Sequence, residues 1–473
     1  MKLTPFITAL FFSLNLSTAY AGPVATMLKE FMDKNIQMEK LKLDYHLIDL
    51  DFQSTDASKP WNLGLEASQI DSKLESASPS ANDTLAKAFE GTLSKSFFSG
   101  TTLSLGAGMT QYDLTARSSG TETKYSEGIQ SLSLSQDIGR NFFGIQDRAD
   151  LNMALLGKEA GQVALNKGTQ AQALNFYSAL LKASLSRSMV AFSEEAHRRG
   201  VQHTALVRVR VRDGLREKVD LYQVEMTERS LAENVLSAKK EYQDASTELS
   251  ALLQRKVLDQ EIIDLMQEKI AHRKVSSIAW DQSMDAELLE KELETLKLGV
   301  KKANSGLIPT IKLNASFKNN ALDDGSSKAL SESTLGGSDR EMVVGVALNW
   351  NIGSELESIN KQKASAQLMY KEAELVAQQK AYELEISKIE NQLSLIDQQI
   401  DSSLEKMKLA SQVLAEYTRL YNQGRADLDR LIDAESSLIN TQNGHISYLF
   451  SRELLAANLL YIDNELIQYL KSK

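Results

Sequence analysis

Between Ser354 and Asn422 the chain runs for 69 residues without a proline or a glycine. Those two residue types are the ones that stop helices, so nothing in the stretch interrupts one. Read as a single helix it extends roughly 100 Å at about 1.5 Å per residue, where globular helices average about 11–12 residues. A helix of that length must lie along partners or cross a wide space. Gly424 breaks it, and Arg425-Ala-Asp-Leu-Asp-Arg-Leu-Ile-Asp433 opens a second helical run to the C-terminus. An alternating segment, Val344 to Ile352, and then Gly353 lead into the rod.

The same order occurs earlier in the chain, so the chain reads as a duplication. Pro60 and Pro309 each precede an alternating strand. Leu-Ser-Gln-Asp-Ile-Gly139 matches Leu-Asn-Trp-Asn-Ile-Gly353 at an offset of 214, and Gly214 matches Gly424 at 210. The glycine-to-glycine spans are 75 and 71 residues, and the four extra residues are expected to form a stutter of about one turn in the first rod. Each half reads as short helix, strands, long helix, tip and shorter helix. The expected organisation is a first repeat over 22–254, an irregular linker over 255–284 and a second repeat over 285–473. The short helices near 25–50 and 285–304 are placed to fill the length of each rod that its shorter partner leaves bare.

The strands follow period two. Trp61 to Ser68 alternates, 71–84 is a polar loop, and 88–98 is weakly patterned. From Thr101 to Tyr112, Leu103, Leu105, Ala107 and Met109 share one face, with Thr102, Ser104, Gly106, Gly108 and Thr110 on the other. Arg117 to Lys124 is a hairpin turn, and Ile129 to Ile138 returns. In the second half Ile311, Leu313, Ala315 and Phe317 alternate with polar residues, and loop 320–340 is Gly/Ser/Asp-rich. Val344, Val346, Leu348, Trp350 and Ile352 then share a face. Such faces fit a core against water, or lipid against a wet lumen. The helices are rods with no face to spare for the sheet. Strands that span lipid must close into a barrel, because an open edge leaves backbone groups unpaired. One chain offers four to six strands and known barrels need at least about eight, so several copies must build it together.

The rods carry coiled-coil stripes. Leu221, Val224, Leu231, Val235, Ala238, Tyr242, Ala245, Leu249 and Leu252 step along 216–254, by alternate threes and fours from Leu231. Ile389, Leu393, Ile396, Ile400, Leu404, Met407, Ala410, Leu414, Tyr417 and Tyr421 step by three or four along the long run. In the last helix two adjoining stripes, Leu431/Leu438/Leu449 and Ile432/Ile439/Ile446/Phe450, imply two neighbours. That suits a tube of helices.

At the N-terminus Lys2, the apolar run Leu3 to Leu16 and Ala19-Tyr-Ala21 read as a secretory signal peptide over 1–21, with the mature chain expected to start near Gly22; an uncleaved anchor is the alternative. No 18-residue apolar window follows. The chain has no cysteine, which excludes disulfides, thiolate metal sites and a cysteine nucleophile. A net charge of −10 argues against nucleic acid. His46, His197, His203, His272 and His445 form no spaced ligand pair, and no catalytic spacing or phosphate loop stands out. An enzyme, a metal and a cofactor are not expected.

On three pieces the chain resembles the TolC-like outer membrane efflux proteins. They are Gly214-Leu-Arg-Glu-Lys-Val-Asp220-Leu before the heptad helix, Tyr421-Asn-Gln-Gly424 with Leu431-Ile-Asp433-Ala, and the duplicated order of strands, rod and tip. The resemblance covers nearly the whole mature chain. It implies a mainly α fold with a membrane β-barrel: a homotrimer whose chains each give four strands to a twelve-stranded barrel and whose helices form a periplasmic tunnel. It implies an exit duct of a tripartite efflux pump or type I secretion system in the outer membrane, with a periplasmic adaptor and an inner-membrane transporter as partners. Since two strands are expected in the first half, 61–70 and 88–98 are expected to be a hairpin outside the barrel. Leu103, Leu105, Val346, Leu348 and Trp350 are then lipid-facing, and Ser104, Gly106 and Asn349 face the lumen. The tips at Gly214, Leu215 and Gly424 are expected to meet the adaptor.

The resemblance also implies a periplasmic gate in which Asp220 accepts from the Tyr421 hydroxyl and from an arginine. The family's arginine position is Ala426 here and a position often acidic is Arg430, so Arg425 is the expected donor, with Arg430 second. Asp433 is expected to form a lumen-facing ring of carboxylates. Asp427 and Asp429 have a simpler reading as helix-start residues, worth about 0.3–1 kcal/mol each. Val207-Arg-Val-Arg-Val-Arg212 alternates like a strand inside a helix. Its arginines are either fanned around a helix end or a basic collar for the adaptor or the acidic second tip. A secreted structural coiled coil is the other class of reading. It explains the heptads but not strands ending in Ile-Gly in both halves, and detergent dependence separates the two.

Overall fold

A computed structural model describes residues 22–73, 82–117, 119–262, 265, 279–337, 339–353 and 355–473. The expected signal peptide, His272 and half of the linker lie outside them. Among the described residues no helix is long and apolar enough to cross a membrane.

Two compact units divide the chain, and each draws on both halves of the sequence. One takes residues up to Leu43, Ala164–Ala286 and Gln378–Lys473. The other takes Asp44–Val163 and Glu287–Ala377.

The rods are α3 (Ile145–Arg212) and α7 (Glu355–Asn422), and both are 68 residues long. The four extra residues of the first repeat are therefore not a stutter in the rod. They lie between Gly139 and Ile145, where Phe142–Gly144 make a 3-10 turn. The side chain of Asn141 accepts from the Gln146 amide at 2.9 Å and so ties this turn to the start of α3. The returning helices α4 (Lys218–Leu253) and α8 (Leu428–Ile462) are 36 and 35 residues. The buried residues of α4 include Val224, Leu231, Val235, Ala238, Ala245 and Leu249, which belong to the heptad stripe.

The N-terminal helix is two helices, α1 (Pro23–Lys34) and α2 (Ile36–Asp56). Asn35 between them is extended at ψ 130°. Its side chain donates to the Leu252 carbonyl at 2.9 Å and accepts from the Gln37 amide at 2.8 Å. The chain thus turns where α4 ends, and α2 continues along α3. Leu41 lies against Gly168, and Asp49 pairs with Lys158 at 2.7 Å. The second short helix, α5 (Met284–Gly306), ties to α3 through Lys291–Glu159 at 2.6 Å and to α7 through Glu292–Lys371 at 2.6 Å. A 7-residue helix, α9 (Leu466–Ser472), follows α8 after Asn464 at φ 59°. Its Leu466 and Leu470 join Leu28, Phe31, Phe176, Tyr177 and Leu249 in the largest core, where Phe31 stacks on Phe176 at 5.2 Å.

The strands β1 (Trp61–Ser72), β2 (Asn82–Ser96), β3 (Thr101–Ala116), β4 (Glu122–Asp137), β5 (Thr310–Asp323) and β6 (Arg340–Asn349) form one antiparallel sheet in chain order. The hairpin β1–β2 is therefore continuous with the other strands, against the expectation of a separate hairpin. β2 pairs with β3 along its whole length, from Asn82↔Ala116 to Ser96↔Thr102. Directly paired residues share a face. One row across the six strands is Leu63, Leu93, Leu105, Leu132, Phe317 and Met342. The adjacent row on the opposite face is Asn62, Ser94, Ser104, Ser133, Ser316 and Val343. Leu105, Leu132 and Leu134 are exposed while Ser104, Ser133 and Ser135 beside them are half-buried. Bulky side chains standing clear of small neighbours mark the apolar face as the convex one.

Every helical connection joins the sheet at one end: α2 to β1, β4 to α3, α5 to β5 and β6 to α7. The loop after β5, expected to be irregular, contains α6 (Ser326–Glu332), which packs on β3, β4 and β5. A side chain at Gly128 would collide with the Ala329 carbonyl, so this close approach needs glycine.

Candidate functional site at the paired helix tips

Both rods end in the same way. Gly214 at φ 74° and Gly424 at φ 72° take the left-handed conformation that closes a helix C-terminus. Leu215 N–H donates to the Arg210 carbonyl at 2.8 Å, and Arg425 N–H to the Leu420 carbonyl at 2.9 Å. Each turn thus ties off one of the last carbonyls of its rod.

Around these matched turns the side chains differ. Tyr421, on the last turn of α7, is completely buried in a core with Val207, Val224, Leu414, Leu428 and Leu431. Arg210 of α3 donates to the carbonyls of Tyr421 at 2.7 Å and Asn422 at 2.8 Å. A guanidinium there meets the negative end of the α7 dipole and satisfies carbonyls that have no partner inside the helix. Its Cζ lies 4.7 Å from the Tyr421 ring centroid, and that of Arg216 lies 5.4 Å away. Both are within range of a cation–π contact. Arg216 also reaches the Ala426 carbonyl at 3.3 Å. Burial pushes the Tyr421 phenol above its ordinary value, opposed by the two arginines.

Asp220, in the first turn of α4, pairs with Arg216 of the preceding tip turn at 3.8 Å. No well-formed hydrogen bond reaches the Tyr421 hydroxyl among the described residues, although the Arg210 guanidinium lies close enough to favour the ionised phenol. Within one chain, then, Asp220 does not receive the Tyr421 hydroxyl, and its arginine is Arg216 in place of Arg425 or Arg430. Arg425, Arg430 and Asp433 are exposed on the second hairpin, as is Leu215 on the first. Asp427 holds the cap position of α8 without a side-chain cap bond. Asp429 accepts from Gln223 at 2.5 Å, tying the start of α8 to α4.

The alternating run at 207–212 is helical. Val207 is buried, Arg208 pairs with Glu225 at 2.8 Å, and Arg212 with its neighbour Asp213 at 3.1 Å. Of the three arginines, Arg210 is the one on the second tip. Sequence reasoning missed its role and that of Arg216, although Arg216 stands two residues after Gly214, as Ala426 stands after Gly424.

About three turns back along α3 from Arg210, Arg199 makes a forked pair with Glu435 of α8 at 2.6, 2.9 and 3.1 Å. Glu435 is only 4 % exposed. His203 sits beside this pair, and burial pulls its pKa below the ordinary value. A second buried pair, Arg452 with Glu453 at 2.8 Å, reaches Asp397 of α7 at 2.7 Å. The two hairpins of a chain are thus joined by the Arg199–Glu435 pair and, at the tip, by Arg210 and Arg216. Such an arrangement holds or releases a position.

On the sheet, Leu103, Leu105, Val346 and Leu348 share the convex apolar face. Trp350 follows β6 in the same alternation. Ser104, Gly106 and Asn349 belong to the other face.

No family model and no curated protein matches the sequence. Solved structures do match. The outer membrane protein VceC of Vibrio cholerae superposes with a TM-score of 0.67 at 16 % identity, over 92 % of this chain and 95 % of that one. The open state of the MtrE outer membrane channel of Neisseria gonorrhoeae gives 0.67 at 13 %, over 94 % and 89 %. The CmeC outer membrane channel of Campylobacter jejuni gives 0.67 at 11 %, over 94 % and 86 %.

Proposed function

We propose that this chain, which has the fold of the TolC-like outer membrane channels, is an exit duct of the outer membrane that serves a tripartite efflux pump or a type I secretion system. Three copies close their sheets into one barrel, and their helical hairpins form a periplasmic tunnel. A periplasmic adaptor meets the tips at Gly214, Leu215 and Gly424, and an inner-membrane transporter feeds the tunnel. The paired tips act as the gate, with Asp433, Arg425 and Arg430 exposed toward neighbouring copies.

The observation that carries this reading is the sheet. Its apolar convex face, its opposite face of small, polar and charged residues and its two open edges suit a wall between lipid and a wet lumen, and all four helical connections leave from one end. An open edge in lipid leaves backbone groups unpaired at several kcal/mol each, roughly, so the sheet must find its own kind. Light scattering of the detergent-solubilised protein should give about three chains. A monomer that stays soluble without detergent would overturn the proposal in favour of a structural coiled-coil protein.

A further inference from the structure

We infer that all six strands of each chain belong to the barrel wall, with β1 of one copy paired antiparallel to β6 of the next, so that three copies of six strands close an 18-stranded barrel. The inference rests on the trimeric duct proposed above. It departs from the four strands per chain that the family resemblance implies.

The first argument is the ladder. β3 is bonded to β2 on one side and to β4 on the other. It has no free side for a second copy. Among the described strands the unpaired edges are those of β1 and β6. The second argument is parity. Six antiparallel strands leave β1 and β6 running in opposite directions, so a β6–β1 joint between copies is antiparallel like every other joint in the sheet. An even strand count is the rule for closed bacterial barrels.

The third argument is the apolar band. It crosses β1 and β2 without a break, from Met342 through Leu93 to Leu63. A hairpin held outside the barrel would have no use for a face that continues its neighbours' apolar face between Lys95 and Lys87. Leu63 is 69 % exposed and Val346 is 66 % exposed, so both edges carry the band into open space. β1 and β6 are 12 and 10 residues long, and a tilted strand needs about 9–11 to cross.

The fourth argument is the lack of protection. Natural edge strands carry lysine or proline to deter pairing. Here β1 and β6 contain neither, and their charged residues, Glu66, Asp71, Arg340 and Glu341, lie outside the stretches 61–65 and 342–349, while the inner strands carry Lys87, Lys95, Lys312 and Lys318. These edges are built to be covered. A tryptophan closes each of them at the end where the helices attach, Trp61 on β1 and Trp350 just past β6, where membrane barrels place aromatic girdles. Lys95 lies 5.4 Å above the Trp61 ring, as a cation does at the lipid headgroups.

The second copy is thus the occupant of each edge. Level bases set Trp61 opposite Trp350 of the next copy. Leu63 then falls opposite Leu348, and Leu65 opposite Val346. Barrel diameter grows roughly linearly with strand number, so the lumen is about half as wide again as that of twelve strands.

The chain has no cysteine, which makes cross-linking clean. Trp61, Leu63 and Leu65 would be changed to Cys one at a time, each combined with Cys at Val346, Leu348 or Trp350. Opposed strand residues have Cβ atoms about 4.5–5.5 Å apart, close to disulfide reach. Oxidation in the membrane should yield a ladder on a non-reducing gel that ends at three linked chains, strongest for Leu63→Cys with Leu348→Cys. The comparison set places Cys at Thr101, Leu103 or Leu105 of β3 against the same β6 positions. Cross-links between copies in that set, or none in any β1 pair while light scattering still gives three chains, would overturn the 18-stranded joint and leave the duct standing. A protein that is monomeric in detergent would overturn both.

Discussion

The two halves of the chain share a backbone plan and divide the side chains between them. Their rods are equal at 68 residues, their returning helices nearly so, and their tips use glycine at almost the same φ. Position by position the tips are not copies. Two residues after the glycine stands Arg216 in the first half and Ala426 in the second; six after it stand Asp220 and Arg430. The first tip supplies guanidinium groups, and the second supplies a buried ring and bare carbonyls. Identical tips facing each other would set arginine against arginine. A shared backbone plan with divergent side chains gives a self-complementary pair from one fold. The sheets diverge in the same way, with four strands from the first half and two from the second.

The division is tested most severely at Arg199. Its partner Glu435 is buried, and removing one member of a buried pair costs about 3–5 kcal/mol because the other charge is stranded. Arg199→Ala should lower the helical melting temperature of the detergent-solubilised protein sharply. Arg198→Ala, whose pair with Glu195 is exposed on a single helix, should not change it measurably. Equal melts would mean the halves are not held by this pair.

Next in size is the sheet. Leu105→Arg from the first half and Leu348→Arg from the second should each cost roughly 2–4 kcal/mol near the midplane, less towards the edges. Asn349→Arg, on the opposite face, should be tolerated. Folded yield and urea midpoints check this, and equal damage at Leu348 and Asn349 would refute the facing. Leu63→Arg should behave as Leu105→Arg does if the first hairpin stands in the same lipid.

How far these features were legible depends on their range. β3 announced itself because its alternation is unbroken. β2 did not, because Lys87 and Lys95 fall on its apolar face, where the sheet's convex side gives them room. The rods were legible from the lack of breakers. The kink at Asn35 carried only the signal of a capping residue, and the place of the four extra residues could not be told from length alone. α6 is 7 residues in a Ser/Gly-rich stretch, too short for a period to show. At the tip, the glycines and Tyr421 were found from local motif, whereas Arg199 and Glu435 are 236 residues apart and each looks like an ordinary surface charge.

A smaller effect belongs to Arg210. Hydrogen bonds to a charged group contribute about 1.5–3 kcal/mol, and Arg210→Ala removes those to the carbonyls of Tyr421 and Asn422. Amide exchange over 420–426 should quicken by about tenfold to a hundredfold. Arg212→Ala, whose partner is its neighbour Asp213, should leave exchange there unchanged. If the two variants exchange alike, the first tip does not hold the second.

The smallest effect separates the contact within a chain from a clasp between copies. Tyr421→Phe deletes a buried hydroxyl that no well-formed hydrogen bond reaches among the described residues, and keeps the ring beneath Arg210 and Arg216. A buried hydroxyl without a well-formed hydrogen bond is itself unfavourable by about 1–3 kcal/mol, so the variant should be no less stable than the parent. The phenyl face still attracts a guanidinium, so the tip should stay closed. In bilayer recordings the open probability of Tyr421→Phe should therefore stay near that of the parent, while Arg210→Ala should raise it. A clasp in which Asp220 of a neighbouring copy takes the Tyr421 hydroxyl demands the reverse: Tyr421→Phe and Asp220→Ala should each open the channel, and together no more than either alone. Asp220→Ala by itself does not decide the matter, because it also frees Arg216 from its pair at 3.8 Å. The phenylalanine variant does decide it, since it removes one oxygen and moves no charge.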